Sequence, residues 1–457
     1  MRLIWGTAKE LLQQRVGYCE LLVKVDGREG TAKAICYPEL TGAVEVGERV
    51  LLNTTAVDLE LGTGGKHFVV ARGDTALRSE SPAGSAFTHS AGVARARGVE
   101  GSVATGVSNG ADVVQFDEAM KREAGHLMKL RYTPHQLNVL SVEAQESPYH
   151  RVMKNRDSLE GVPVVCCGLH SQVPLVAAAI KKAMPTLVVG YVMDDAASLA
   201  LNLSDILADS VEAELIDLTV STGQVFGGQI EAINLHSGLL AAVHVGGCDV
   251  VIAAIGPGLA GTGTPFGHGG VAQGEAINAA AVLGGAPVVC LRMSQADSRQ
   301  RHLGISHHSI TALSRVALAP ATIAIPYVAE DNPFAAMIDA ELDALPNVVG
   351  HTAFQLEESF YDEAALRGVK VKTMGRDFEQ DPLFFEAASA AGAVSAMIAV
   401  MTIEQEAAEI AEGREAALQA GEGASAGAVA AMGGGCSPHL SDCASSCPSA
   451  GSCDKLR

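Results

Sequence analysis

The chain has 457 residues, 48% hydrophobic but only 4% aromatic, and its 52 acidic against 32 basic residues give a formal charge of −20. Such a length exceeds one average domain of roughly 100–200 residues, so two or three folded units are expected, their interiors built from Ala, Val, Leu and Ile in layers of helix on sheet. The negative charge repels a phosphate backbone and excludes nucleic acid as an expected partner. With neither a signal-peptide pattern at the start nor about 18 uninterrupted apolar residues anywhere, a cytoplasmic protein without a membrane partner is expected.

From Tyr18 to Arg72, short β-like runs (CELLVKV, AKAICY, RVLLNTTAV, HFVVA) are separated by turn signals such as Asp26-Gly27 and Gly47-Glu48, which predicts a small β-barrel, or a sandwich, over residues 1–72. Residues 73–111 hold Gly, Ser, Ala, Thr and Arg with few large apolar side chains. Such a stretch buries too little surface to offset its ordering entropy and reads as a flexible insertion. Residues 112–160 read as connecting strands, with GHLMKLRYTPHQLNVLSVEA forming two strands about a Thr133-Pro134 turn that would complete the barrel.

After Gly161 the rhythm changes. Apolar runs at 162–167, 186–192, 213–220, 249–255, 287–293 and 322–325 alternate with helical stretches, the pattern of a parallel sheet covered on both faces over residues 161–400. The predicted fold class is therefore α/β: a small N-terminal β-barrel followed by a mostly parallel, helix-covered, Rossmann-like sheet. An Ala-rich helical stretch interrupted at Gly392 continues through a helix at 401–420 into a flexible tail at 421–457. Six cysteines (Cys19, Cys36, Cys166, Cys167, Cys248, Cys290) lie in or beside strand-like runs and read as reduced packing residues.

In open parallel sheets ligands sit beyond the carboxyl ends of the strands, and three loops there are unusual. The first, GPGLAGTGTPFGHGG, follows VVIAAI and precedes a helical stretch. Gly256, Gly258, Gly261 and Gly263 let the backbone approach an anion, Thr262 and Thr264 add hydroxyl donors, His268 stands at its end, and the following helix start contributes positive potential. It lacks the lysine of a P-loop, and its match to the dinucleotide fingerprint is incomplete. The second, STGQVFGGQ, offers Gly227, Gly228 and Gln229, with Gln224 and Glu231 beside them, on a rim expected to adjoin the first. The third places Asp297, Arg299, Arg301, His302, His307 and His308 within twelve residues. Arginines supply fixed cations and imidazoles titrate near neutrality. Ser306 as N-cap would put His307 and His308 in the first helical turn, where the dipole favours neutral rings fit to be a base or a metal ligand. His170 reads as structural; Asp194-Asp195 would suit Mg²⁺, with Asp195 better read as a helix cap. Cys436, Cys443, Cys447 and Cys453, with His439 nearby, form a further candidate metal set that matches no standard spacing.

The strings GQIEAINLHSGLLAA, GPGLAGTGTPFGHGGVAQGEAINAAAVLGGAPV and RHLGISHHSITALSRVAL, with GHLMKLRYTP and NTTAVDLELGTGG, resemble the uncharacterised bacterial family known as domain of unknown function 3866. The resemblance extends from the barrel to about residue 400 and leaves out residues 73–110 and the cysteine tail. It implies one coherent chain and no mechanism.

The leading expectation is an enzyme that binds a small anionic, phosphorylated or nucleotide-like substrate on the 256–270 loop. His302, His307, His308 and Asp297 would carry acid–base chemistry, and Arg299 and Arg301 would neutralise charge. A non-catalytic metabolite sensor and a metal protein organised by the tail are the alternatives. No cofactor is fixed, Mg²⁺ or a nucleotide being the candidates, and a homo-oligomer is left open.

Overall fold

A computed structural model describes residues 2–58, 65–73, 127–131, 135, 137–329, 332–345 and 348–430. The 73–111 insertion beyond Gly73, the Thr133-Pro134 turn and the four tail cysteines lie outside them.

The barrel is closed by β1 (Leu3–Arg15), β2 (Tyr18–Val25), β3 (Ala32–Cys36), β4 (Arg49–Asn53) and β5 (His67–Arg72) in the order β1-β2-β3-β5-β4. Alternate residues point inward, so Leu21, Val23, Val25, Ala34, Cys36, Val50, Leu52 and Val69 form its core. β1 escapes a sequence reading because LIWGTAKELLQQR has no clean alternation. It bends through register shifts after Ala8 and Leu11 to pair with both β2 and β4. Arg15 at its end donates to the carbonyl of Asn202 (2.6 Å) and to Asp205 (2.7 Å), tying the barrel to the sheet below.

β6 (Leu127–Lys129) and β7 (Leu137–Val139) form the expected antiparallel pair, but as a separate two-stranded sheet. They do not complete the barrel: Lys129 reaches the α/β layer, where its Nζ meets Glu231 at 3.2 Å and the carbonyls of Gly223 and Ala232 at 3.0 and 3.2 Å.

The main sheet has eight parallel strands. They are β8 (Pro163–Cys167), β9 (Val189–Asp194), β10 (Leu218–Ser221), β11 (Ile230–Glu231), β12 (Val250–Ile255), β13 (Ala286–Cys290), β16 (Thr322–Ile325) and β17 (Thr352–Gln355), in the order β11-β10-β9-β12-β8-β13-β16-β17. The two intervening strands, β14 (Met293–Ser294) and β15 (Gly304–Ile305), pair with each other. Strands β8, β9, β12 and β13 are buried almost throughout, which is why their sequences are continuous apolar runs rather than alternations. Steps from β8 to β9 and β10 run one way along the sheet and steps from β11 through β12 to β17 run the other. Right-handed crossovers therefore place helices Val173–Ala183 and Asp205–Glu212 on one face and Leu235–His244 and Ala272–Val282 on the opposite face.

The helix Pro382–Ala430 runs through Gly392 without the expected break. A side chain at Gly392 would strike the Val176 carbonyl and the Ala179 methyl, so the glycine lets this helix pack tightly on Val173–Ala183. Its segment Pro382–Gln405 is long and apolar enough to cross a membrane, and 78% of that apolar window is buried inside the protein.

His170, just after β8, is structural as its solitary position implied. Its Nε2 meets the Ser204 hydroxyl at 2.6 Å and its Nδ1 the Tyr191 hydroxyl at 3.2 Å, and full burial pushes its pKa down to about 4. The unfolded chain binds this proton near pH 6.5 and the folded chain only near 4, so stability is full above the unfolded value and falls on acidification. His170→Gln is expected to recover about 2 kcal/mol of the stability wild type loses between pH 7 and pH 5, a figure set by that shift at ~1.4 kcal/mol per unit. Urea titrations at both pH values check this; equal losses for the two proteins would refute it.

Candidate functional site

The loops after β12 and β13 meet at the carboxyl edge of the sheet. β13 leaves through Arg292 into the hairpin of β14 and β15, whose connecting loop carries Asp297, Arg299, Arg301 and His302. The chain then enters helix His307–Thr311, capped as expected by Ser306, whose hydroxyl accepts from the His308 amide at 3.2 Å. The β12 loop returns through His268 to the turn preceding helix Ala272–Val282. A Cβ on Gly270 would lie 3.0 Å from His268 Nδ1 and 3.2 Å from His308 Cβ, so its missing side chain is what lets the two loops close on each other.

Four imidazoles converge there. His268 and His308 stack with centroids 3.8 Å apart, His307 lies 4.4 Å from His308, and His302 lies 4.9 and 5.1 Å from His308 and His307. His268 Nε2 faces the Pro265 carbonyl at 3.0 Å and must donate to it, which leaves Nδ1 with a bare lone pair. His302 Nδ1 shares a 2.7 Å bond with Ser306 Oγ. The Arg292 guanidinium donates to His308 Nδ1 at 3.0 Å. Among the described residues, buried His268 Nδ1, His302 Nε2 and His307 Nε2 have no hydrogen-bond partner.

All four rings are held neutral. Burial comes first for each; neighbouring cations and rings add to it, Arg292 and Arg299 for His302 and then His268 and Arg292 for His308. His302 is pushed down to about 3 and His308 to about 2. Burial is thus the first cause that keeps His307 and His308 unprotonated.

Asp297 does not fit the acid–base role expected of it. Arg299 grips its carboxylate through Nε and Nη2, both at 2.8 Å, while Arg376 and Arg292 stand at 3.6 and 3.8 Å. The bonds from Arg299 hold its pKa well below the usual carboxylate range, so it is a fixed anion that positions guanidiniums. Arg299, engaged by it, is correspondingly an anchor rather than a ligand contact. Arg301 is exposed and, among the described residues, donates no hydrogen bond; a Cβ on Gly263 would lie 3.8 Å from its Cζ.

Within the β12 loop, Gly261 lies over His308, an added Cβ meeting Nε2 at 3.5 Å, whereas Gly256 is packed beneath against Met193 and Ser198 and Gly258 faces open space. Thr262 and Thr264 bond to each other at 2.9 Å and to the carbonyl and amide of Gly267. Their hydroxyls close the loop on itself instead of presenting donors. The second loop is not adjacent to the first, because β9 separates β10 from β12. Gly227 donates to Glu231, Gly228 to Ser221, and Gln229 accepts from Thr219, so this loop is a structural turn away from the cluster. Asp195 accepts from the Gln224 amide at 2.9 Å, which makes it the brace of that turn rather than a helix cap, and Asp194 accepts from the Asp195 amide.

Arg292 is one of the site residues that sequence reasoning missed. Its signal was an arginine interrupting the apolar run PVVCLRM, a position that demands nearby acceptors once buried.

Residues 33–392 match the family described as Protein of unknown function (DUF3866). That match spans most of the chain, which belongs to this family. No curated protein and no solved structure matches it.

Proposed function

We propose, taking membership of that family as the premise, that the chain is an enzyme acting on a small anionic substrate at the carboxyl ends of β12 and β13. The observation that carries this reading is the convergence of three buried, partnerless nitrogens (His268 Nδ1, His302 Nε2 and His307 Nε2) beside an unengaged guanidinium. Each such atom costs about 1–3 kcal/mol when left unsatisfied. Polar groups kept in that state close together mark a site that a ligand completes. Arg301 supplies the cation for a phosphate or carboxylate, and neutral imidazoles accept and return the proton that moves during reaction. A phosphorylated or nucleotide-like compound is the class that fits.

The test is a thermal-shift series with inorganic phosphate, nucleotides, sugar phosphates and organic acids, run with a chelator present. A ligand at ~100 times its dissociation constant adds about 2.7 kcal/mol of stability. Arg301→Gln is expected to remove that gain, and His307→Asn to keep binding while stopping consumption of the ligand. Silence from every compound would end this reading.

A further inference from the structure

We propose that His268, His307 and His308 form a binding site for one divalent transition-metal ion of the zinc type. Each ring offers one nitrogen, and the three nitrogens lie within 4.8 Å of one another. That spacing is what a single ion drawing three ligands inward requires, and an all-imidazole set selects zinc-like ions over Mg²⁺ or Ca²⁺, which take oxygen. His268 is 5% exposed, its Nδ1 has no hydrogen-bond partner among the described residues, and its Nε2 donates to the Pro265 carbonyl at 3.0 Å; because its ring stacks 7° from parallel on that of His308, the His308 ring must swing out of the stack for both lone pairs to reach one ion. A backbone carbonyl on the far nitrogen is the support that fixes a metal-ligating imidazole. His307 contributes its buried, partnerless Nε2.

His308 is the ligand that must adjust. With Arg292 donating to Nδ1, its neutral ring carries the proton on Nε2. Ligation through Nε2 moves that proton to Nδ1 and turns the guanidinium toward Asp297, whose Oδ2 stands 3.8 Å from Arg292 Nη2. Arg292, Arg299 and Arg301 oppose a cation, and Asp297 offsets part of their charge. An anion that bridges the ion and Arg301 offsets the rest, so phosphate and metal are expected to strengthen each other's binding reciprocally. Three protein ligands leave a fourth position for such an anion or for water, and His302 remains beside it as a free base. The inference rests on the proposed function only in taking the same cluster as the site.

The experiment uses the full-length chain with Cys436, Cys443, Cys447 and Cys453 replaced by serine, so that the tail offers no thiolate. After stripping with a chelator it is titrated with Co²⁺. One ion per chain is expected, with the intense visible absorption of a low-coordinate site. His268→Gln and His307→Gln should each weaken binding at least tenfold, while His302→Gln should leave it in place. No visible band, or a band untouched by both substitutions, overturns the proposal. Should either variant fail to fold, the X-ray absorption spectrum of the Zn²⁺-loaded parent chain decides: imidazole outer-shell scattering supports the site and its absence overturns it. Phosphate stabilisation in the presence of chelator is read separately, so a metal without an anion site and an anion site without a metal give opposite results.

Discussion

Asp297→Asn is expected to lower the free energy of unfolding by about 3–5 kcal/mol, the cost of stripping the partner from a buried charge. The carboxylate is 3% exposed and Arg292, one of its three guanidinium neighbours, only 8%. Without the anion, the buried Arg292 guanidinium keeps its bond to His308 and stands near Arg299 and Arg376 with no carboxylate between them. Because part of the penalty is repulsion, adding Arg299→Met to the Asn variant should restore some stability, although Arg299→Met alone should destabilise. Urea unfolding of the four proteins forms a double-mutant cycle. Additive losses would mean that Asp297 and Arg299 act independently and that the electrostatic account is wrong.

Lys129→Met should cost a comparable amount at pH 7.5, for the opposite charge. Lys129 is fully buried and Glu231 is 6% exposed; removing the ammonium leaves the carboxylate without its counter-charge and takes a donor from two carbonyls. Burial already raises the pKa of Glu231 above 4.5, and Lys129 is the first of the groups that hold it down. A raised folded pKa means that the carboxyl favours the native state below its unfolded value and loses that contribution as pH rises through the folded value. The penalty in Lys129→Met is therefore greatest at pH 7.5 and shrinks toward pH 5, where Glu231 takes up a proton. Adding Glu231→Gln preserves the bond from the Gly227 amide (2.8 Å) while removing the charge, and should recover most of the loss at pH 7.5. A penalty that is the same at both pH values and unrelieved in the double variant would show that lost packing, not stranded charge, is responsible.

In the main sheet, the strands legible in the sequence are those whose burial forces an apolar run: β8, β9, β10, β12, β13 and β16. β17 is exposed along its whole length, and β11, β14 and β15 are two residues each, so hydrophobic pattern had nothing to mark. The same logic divides the site. His302, His307 and His308 stand close together in the chain, and their concentration could be seen at once; that His268 stacks on His308 depends on β12 and β13 both flanking β8, which no local pattern states. Arg376 and Asp381 were missed because they arrive from a distant segment. There Asp381 accepts from the Ser294 hydroxyl at 2.6 Å and the Gln295 amide at 2.9 Å, pinning the start of the loop that carries Asp297. In the glycine-rich stretch, composition suggests donors that the fold uses up, since Thr262 and Thr264 bond to their own loop.

The sheet order also sets a timetable for the growing chain. β8 is the first strand of the sheet to be synthesised, yet its two neighbours, β12 and β13, begin only at Val250 and Ala286. At ~5–20 residues per second, that leaves an apolar segment with both edges unpaired for several seconds of translation. Parallel pairing over such separations is intrinsically slow, because loop closure precedes any reward. The central strand of the native sheet is thus the segment most exposed to off-pathway association during biosynthesis, and the ones that rescue it are among the later strands to emerge.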